Sequence, residues 1–359
     1  MSRTPRPAVT LKSIAQRTGL SVMTVSRVVR GHPDVGAVNR RKVLAVARQL
    51  GYVPNPAARQ LASGYPSARA DRIIGTVLSQ EVVTSHSYFA GIIQGLADEA
   101  RQSDCHLLLG YGLGQSPDFL DYPKMLRDGV TRWIILVGKV PPQIVQQLRA
   151  NGFSLVLVDM RPPVRGVDAV VCEDAVGAYE AVHHLLNIGH QRVGLIRGPG
   201  QHAFFDSLAA GYQRALREAG VPLDQELIVE TPATVQGGYE AAAGLLKTGR
   251  PPTAMFSNDD LAIGALRAIH ERGLRVPDDI ALVGYDDIEY AAHLTPPLTT
   301  VAVPKEEMGR LAVRRALAQM EDGDQHVFTT TVVAHTLVVR DSCGAKRPAA
   351  PTRKRRNTP

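Results

Sequence analysis

The sequence of 359 residues has few cysteines and no long apolar run. Its three cysteines, Cys105, Cys172 and Cys343, are odd in number and far apart, which argues against a disulfide framework and against a zinc-binding spacing. No stretch of about 18 apolar residues occurs, and the N-terminal segment MSRTPRPAVTLKSIA lacks the apolar core of a signal peptide. We therefore expect a cytoplasmic protein that has no membrane partner.

Acidic residues are scarce at both ends of the chain. Residues 1–61 contain eleven Lys and Arg against one acid, Asp34, so this segment carries a net charge of +10. Residues 344–359 contain six basic residues and no acid, whereas the stretch between the two ends has a net charge of −9. A small segment as basic as the first is typical of proteins that bind the phosphates of duplex DNA.

The motifs of common enzyme and cofactor sites are also missing. The glycines of GYGLGQ, at positions 110, 112 and 114, do not have the spacing of a dinucleotide-binding loop, and neither GxxxxGK[ST] nor GxSxG occurs. His183 and His184 are adjacent in a helical stretch, so they point to different faces and do not form a metal pair. We therefore predict no catalytic residues, no cofactor and no metal.

The basic segment has the pattern of a helix-turn-helix. Thr10 can cap a helix over LKSIAQRT, Gly19-Leu20 makes a turn, and Ser21 can cap a second helix over VMTVSRVVR that Gly31 ends. A third helix is expected from about residue 38 to residue 50. The predicted core consists of the apolar residues Ile14, Ala15, Leu20, Val25, Val28 and Val29.

The second helix carries the predicted DNA contacts near its N-terminus, where a recognition helix meets base edges and phosphates. The residues concerned are Val22, Met23, Thr24, Ser26, Arg27 and Arg30. The two arginines suit phosphate or guanine, and Val22 and Met23 suit a thymine methyl group. An ordinary three-helix bundle with a solvated basic face would fit the same residues.

The stretch PNPAARQLASG, residues 54–64, predicts a short helix. Asn55 can cap its first turn, Pro56 is tolerated at the first helical position, and Gly64 ends it. With about two turns it is shorter than the ~12–15 residues that an isolated helix needs in water, and Leu61 is its one large apolar side chain. Such a helix needs a surface to fold against, although a flexible linker would also fit.

Farther along the chain, apolar β-branched runs alternate with amphipathic helical stretches. This alternation predicts two parallel sheets with helices on both faces and a ligand in the cleft between them. Asp159, Asn258 and Asp286 follow predicted strands, and their carboxylates and amide suit sugar hydroxyls. Structural roles remain open, since Asp259 would also cap the next helix and Asp286 would also hold its loop.

Residues 9–64, with VTLKSIAQRTGLSVMTVSRVVRGHPDV and NRRKVLAVARQLGYVPNPAARQLASG, resemble the head and hinge of lactose-repressor-type (LacI/GalR) bacterial transcription regulators. Later segments, such as AMFSNDDLAIGALRAI and VPDDIALVGYDDIEYAAHLTPPLTTV, resemble the effector-binding body of that family. The resemblance implies an α/β protein with a three-helix head, a hinge helix and a periplasmic-binding-protein-like body of two doubly wound parallel-sheet subdomains. It also implies a homodimer on a near-palindromic DNA operator.

The same resemblance implies individual contacts. In the hinge, Asn55, Ala58 and Leu61 match DNA-binding positions, with Leu61 in the minor groove. In the body, the matching effector positions are Tyr88, Phe89, Asp159, Asp206, Asn258 and Asp286.

Two departures bear on the effector. Asp206 stands where many relatives have an arginine, which disfavours an acidic effector and favours a neutral sugar or an amine-bearing ligand. Ala233 stands where several relatives have an aromatic lid. Phe204 and Phe205 would replace that ring or simply pack, and Phe89 would also fit a core position.

The expected domains are a DNA-binding head (1–54), a hinge and linker (55–71), an effector-binding body (72–343) and a disordered basic tail (344–359). Within the body, the first subdomain comprises about 72–170 plus 299–328, and the second about 171–298 plus 329–343. The predicted function is an effector-controlled, sequence-specific transcriptional regulator, most simply a repressor. Alternatives are a sugar-binding or sugar-processing α/β protein without operator-specific regulation, and an architectural DNA-binding protein.

Overall fold

The computed structural model describes residues 9–29, 34–52, 72–79, 86–113, 121–200 and 202–345. The chain divides into two compact units. The first unit comprises Met1–Val171 and Lys305–Val333, and the second comprises Cys172–Pro304 and Ala334–Pro359. Within the first unit, residues 9–52 are called the head below.

The head contains three helices: α1 (Leu11–Thr18), α2 (Val22–Val29) and α3 (Ala37–Leu50). The Thr10 hydroxyl accepts the Ser13 N–H at the start of α1, and Gly19 ends that helix with φ 69°, a left-handed conformation that suits glycine. The Ser21 hydroxyl accepts the Thr24 N–H at the start of α2, at 3.1 Å. These contacts confirm the predicted helix-turn-helix.

The core of the head is small and apolar. Ile14, Val25 and Val43 are fully buried, and Val28 and Val29 lie on the same face of α2 as Val25. Leu20, which was also predicted for this core, is partly buried against it. The buried face of α2 therefore fixes which of its side chains face solvent.

The rest of the first unit is a six-stranded sheet covered by helices. Its strand order is β11-β5-β4-β3-β1-β2, and β1 to β5 pair in parallel. The strands are β1 (Ile73–Ser79), β2 (His106–Leu113), β3 (Trp133–Val137), β4 (Ser154–Val158), β5 (Asp168–Cys172) and β11 (Thr330–Val333). The helices are α4 (His86–Gln102), α5 (Lys124–Asp128), α6 (Pro142–Ala150) and α11 (Lys305–Asp322), followed by a 3-10 turn at Gly323–Gln325.

The second unit repeats this architecture with the order β12-β10-β9-β8-β6-β7. Strands β6 to β10 pair in parallel, whereas β12 pairs with β10 in antiparallel orientation. The strands are β6 (Val193–Arg197), β7 (Ile228–Glu230), β8 (Ala254–Phe256), β9 (Ala281–Asp286), β10 (Thr299–Ala302) and β12 (Thr336–Val338). The helices are α7 (Asp174–Asn187), α8 (Ala203–Glu218), α9 (Val235–Leu245) and α10 (Asp259–Glu271), with 3-10 turns at Gln225–Leu227 and Glu289–His293.

A buried carboxylate ties the first sheet to α11. Asp168 is fully buried at the start of β5 and accepts hydrogen bonds from Arg315 at 2.7 Å, Gln319 at 2.6 Å and the Thr329 N–H at 2.8 Å. Oδ2 of Asp168, which accepts the hydrogen bond from Gln319, also lies 2.7 Å from Nε2 of His326. Burial alone would raise the pKa of Asp168, but these hydrogen bonds outweigh burial and hold the pKa below its ordinary value.

The structure departs from the expected boundaries at the crossings between the units. Residues 299–304, expected in the first subdomain, belong to the second unit because β10 pairs with β9 and β12. Residues 329–333, expected in the second subdomain, belong to the first unit because β11 lies beside β5. Strands β5, β10, β11 and β12 were not predicted from the sequence.

All of the expected hinge and linker, residues 55–71, and most of the expected tail lie outside the described residues. Within the described part of the chain, no helix is both long enough and apolar enough to cross a membrane.

Candidate functional site

Helix α2 has one buried face and one solvent-exposed face. Val25, Val28 and Val29 point into the core of the head, which leaves Val22 and Met23 at 46% and 68% exposure. Arg27 is also exposed and lies one helical turn after Met23. The N-terminal end of α2 therefore presents two apolar side chains and one cation to any partner.

The polar members of this face are partly buried. The Thr24 hydroxyl lies 2.8 Å from the Ser21 hydroxyl, so Thr24 contributes to the cap at the start of α2 while its side chain stays partly accessible. Ser26 is likewise intermediate in exposure. The structure thus places five predicted contacts on one helix: Val22, Met23, Thr24, Ser26 and Arg27.

The remaining predicted DNA contacts lie outside the described residues. They are Arg30, Asn55, Ala58 and Leu61.

In the first unit, two predicted effector residues contact each other. The Tyr88 hydroxyl donates a hydrogen bond to Oδ1 of Asp159 at 3.1 Å, although the two residues are 71 positions apart in the sequence. Asp159 follows β4 with φ 64°, and Nζ of Lys305 lies 5.9 Å from the centre of the Tyr88 ring. The pair thus joins the start of α4 to the end of β4.

Phe89, next to Tyr88 in the sequence, is buried at 5% exposure, which favours the alternative that it packs in the core.

In the second unit, two predicted effector residues lie at the carboxyl ends of adjacent strands. Asn258 follows β8 and is 8% exposed, and its side chain makes no capping hydrogen bond to α10. No described residue bonds to its buried Oδ1 atom. Asp286, at the end of β9, is 6% exposed with φ 112°. A buried amide oxygen without a protein partner is a group that a ligand can satisfy.

Strained aspartates mark these strand ends. Among the described non-glycine residues, positive φ angles occur at Asp104, Asp159, Asp286 and Asp287. Three of the four follow or end strands where effector contacts were predicted. Because such backbone conformations cost free energy and cluster at functional sites, their positions support a binding role for these strand ends.

Asp259 has a structural role that differs from helix capping. Its side chain is fully buried, with Oδ2 accepting the Ile288 N–H at 2.9 Å and Oδ1 accepting the Thr300 hydroxyl at 2.7 Å. A side chain at Gly284 would clash with it, since a Cβ there would lie 2.0 Å from Oδ1. Asp259 therefore fixes the loop that follows Asp286.

Asp206 is not isolated, because the structure pairs it with an arginine that the sequence did not single out. Nη2 of Arg197, at the end of β6, donates to Oδ1 of Asp206, in the first turn of α8, at 2.6 Å. The Arg197 side chain is 14% exposed and the Asp206 side chain is 55% exposed. The only sequence signal was a charged residue at the end of an apolar strand. Position 206 is acidic, as the sequence indicated, but Arg197 brings a guanidinium to the same strand end.

The two phenylalanines of α8 have different surroundings. Phe205 is buried, and a side chain at Gly198 would clash with its ring, so Phe205 packs in the core. Phe204 is partly exposed, with its ring centre 5.6 Å from that of Tyr285. Phe204 is therefore the ring that remains accessible beside the strand ends.

In the described residues, no group of three or more His, Cys, Asp or Glu side chains is arranged to hold a metal ion.

Comparison with known proteins gives a consistent result. The family model of bacterial regulatory proteins, lacI family, matches residues 10–55, and that of the periplasmic binding protein-like domain matches residues 182–343. The ribose operon repressor of Haemophilus influenzae is 31% identical over 335 residues, which cover 93% of this chain and 98% of that protein. This chain belongs to the lacI family.

Solved structures agree with this membership in the lacI family. The complex of the transcriptional regulator CelR with cellobiose has a TM-score of 0.70 at 29% identity, covering 94% of this chain and 100% of the other. The lac repressor dimer bound to operator and the anti-inducer ONPF has a TM-score of 0.68 at 29% identity, with the same coverage of 94% and 100%.

Membership in the lacI family confirms the predicted fold and function class. The protein is a DNA-binding transcriptional regulator and not an enzyme. Its individual DNA and effector contacts stay predictions, because family membership does not test single residues.

Proposed function

We propose that this lacI-family protein is a homodimeric repressor that binds a near-palindromic operator and responds to a sugar or related metabolite. The exposed face of α2 carries the operator part of this proposal. It combines Val22 and Met23, which suit thymine methyl groups, with Arg27, which suits phosphate or guanine. A face of this chemistry, with its opposite side held by a buried core, is what a recognition helix requires.

The operator proposal is tested with a matched pair of exposed apolar residues of the head. Met23 and Val38 are 68% and 71% exposed, but only Met23 lies on α2. After an operator is selected from genomic fragments, Met23→Ala should weaken operator binding by about 1–3 kcal/mol and random-duplex binding much less. Val38→Ala is the control and should change neither affinity. Equal losses on operator and random DNA would contradict a base-reading role for α2.

The edge of the first sheet supports the dimer. Among the described strands, β2 lies at the sheet edge, and its outer backbone groups pair with no described strand. Leu109 and Tyr111 on this strand, together with Val130, are about half exposed, and they line a pocket of about 370 Å³ beside Pro123 and Met125. An exposed apolar sheet edge of this kind suits a second copy of the chain, and the related lac repressor was solved as a dimer.

The mass of the assembly in solution, measured by analytical ultracentrifugation, tests this surface. Leu109→Arg should shift the protein from dimer to monomer, because it buries an unpaired charge in the contact. Val327→Arg is the control, since Val327 is 72% exposed and lies away from β2. A Leu109→Arg variant that remains fully dimeric at micromolar concentration would contradict the proposed surface.

The proposed effector contacts are Tyr88, Asp159, Asn258 and Asp286. The unsatisfied Oδ1 of Asn258 and the strained aspartates support this assignment. The relatives add the ligand class, because one is named for a ribose operon and one was solved with cellobiose. A thermal-shift screen of the full chain against neutral sugars tests it, since a ligand that binds only the native state raises the melting temperature. A screen without any stabilising sugar would contradict the sugar part of the proposal.

A further inference from the structure

The ion pair between Arg197 and Asp206 has an uneven exposure that bears on which effectors can bind. The guanidinium of Arg197 is largely buried at the end of β6, while the Asp206 carboxylate is more than half exposed. A ligand that approaches this strand end therefore meets a carboxylate first and a guanidinium second. Nε of Arg197 also donates to the Gly198 carbonyl at 3.3 Å, which helps to hold the guanidinium in place.

The strand register adds a second acid beside Arg197. Strands β6 and β7 are parallel neighbours, and Arg197 is aligned with Glu230, the last residue of β7. The loop after β6 also passes close to that acid, since a Cβ at Gly200 would lie 3.3 Å from a Glu230 carboxylate oxygen. One cation at this strand end is therefore accompanied by two carboxylates, and these three side chains together carry a net negative charge.

The same edge of the second sheet carries the proposed effector contacts. Strands β6, β8 and β9 are consecutive in the sheet, and their carboxyl ends bring Arg197, Asn258 and Asp286 to one edge. Phe204, two residues before Asp206, leaves part of its ring accessible beside Tyr285. Paired polar groups next to an aromatic ring suit a sugar, which has hydroxyl groups at its edge and apolar C–H groups on its ring faces.

We propose that the Asp206 carboxylate pairs with the Arg197 guanidinium in place of a ligand anion, so that the effector site accepts uncharged sugars and rejects sugar acids. This inference rests on the proposed effector site and adds its charge selectivity. A carboxylate on the ligand would meet the exposed Asp206 and would compete with it for the guanidinium. A neutral sugar meets the same pair without repulsion and can hydrogen-bond to both partners.

The inference predicts that removing the negative charge of Asp206 uncovers a site for anions. Asp206→Asn keeps the size of the side chain but replaces the strong acceptor of the ion pair with an amide. The guanidinium of Arg197 is then available for a bidentate contact with a ligand carboxylate. The affinity for sugar acids should rise on the order of tenfold to a hundredfold.

The test uses the full chain and matched pairs of probes: glucose with glucuronate, and galactose with galacturonate. Thermal shift followed by calorimetry gives the ratio of acid affinity to neutral-sugar affinity in each pair. The variants are Asp206→Asn, the double variant Arg197→Gln/Asp206→Asn, and Glu218→Gln. Glu218 is an exposed acid at the other end of α8, paired with Arg214 at 2.8 Å, so it controls for a general change in charge.

We expect wild type to prefer the neutral member of a pair, and Asp206→Asn to raise the acid-to-neutral ratio at least tenfold. The gain should vanish in the double variant and be absent in Glu218→Gln. A wild-type protein that binds the acid as tightly as the sugar would overturn the inference. So would an unchanged ratio in Asp206→Asn, or an equal gain in either control. If no neutral probe binds wild type, the sugar proposal itself fails, and the two failures are thereby distinguished.

Discussion

The head and the α/β body present their candidate functional residues in opposite ways. On α2 of the head, Met23 and Arg27 project into solvent from a helix whose other face is buried. In the body, Asn258 and Asp286 are more than nine-tenths buried, and Arg197 is held by its own chain. A surface that binds a large polyanion can thus be built on a small rigid core, whereas a site that selects a small ligand needs preorganised partners.

This contrast predicts that the loss of a buried polar partner in the body damages stability, whereas substitutions on the exposed face of α2 damage only binding. The largest effect is expected at Asp168. Asp168→Ala leaves Arg315 and Gln319 without their buried acceptor, so the free energy of unfolding should fall by about 3–5 kcal/mol. Urea denaturation followed by the fluorescence of Trp133, the single tryptophan, reports on the first unit.

The matched control for Asp168 is Glu321→Ala. Glu321 forms an ion pair with Arg72 at 3.4 Å, but its side chain is 65% exposed, so its loss should change the unfolding free energy by less than about 1 kcal/mol. Equal losses in the two variants would remove the contrast between buried and exposed charge.

In the head, Arg27→Ala should weaken operator binding by about 1–2 kcal/mol and leave the melting temperature unchanged. If Arg27 contacts a phosphate, the slope of log affinity against log salt should also fall by about one. Filter binding at several salt concentrations measures both quantities. Arg101→Ala is the control, because Arg101 is a 77% exposed cation of the body and should affect neither.

A smaller effect is expected at the Tyr88–Asp159 contact. Tyr88→Phe removes the hydroxyl that donates to Asp159, so affinity for the effector sugar should fall by about 1 kcal/mol, or roughly fivefold. Tyr122→Phe loses a hydrogen bond to Gln147 of 2.8 Å that is not part of the proposed effector site, so it should leave sugar affinity unchanged. Calorimetry on both variants would contradict the proposed contact if their sugar affinities were equal.

The pH dependence of stability should be the mildest of these effects near neutrality and should appear only in acid. The pKa of Asp168 is lower in the folded protein than its ordinary value of about 3.9. Its contribution is therefore fully present above about pH 4 and is lost as the pH falls through the folded pKa. Wild type should lose stability in this acid range more steeply than Asp168→Asn in urea titrations. Parallel curves would contradict the assignment.

The sequence was a better guide to the head than to the body site. Thr10, Gly19 and Ser21 act within four residues of where they stand, so local capping rules predicted α1 and α2 and the exposure of Met23. The Tyr88–Asp159 contact spans 71 residues and requires the fold to be known.

Short strands and one ion pair were also beyond local patterns. Strand β12 is three residues long and, among the described strands, pairs with β10 alone. Such a short strand shows no periodicity in the sequence that would predict it. The Arg197–Asp206 pair joins a strand end to the first turn of the next helix, and nothing in the sequence ranks it above other charged pairs. A cation is therefore present at this strand end, but it is Arg197, and Asp206 shields it.

Effector binding in the body is proposed to alter operator binding by the head. The direct measurement is the operator dissociation constant of the full chain with and without a saturating sugar that stabilises it. We predict at least a fivefold change, within the usual range of about 1–3 kcal/mol for coupled sites, and a loss of that change in Asn258→Ala. An operator affinity that stays the same at full sugar occupancy would contradict the proposed coupling between effector binding and operator binding.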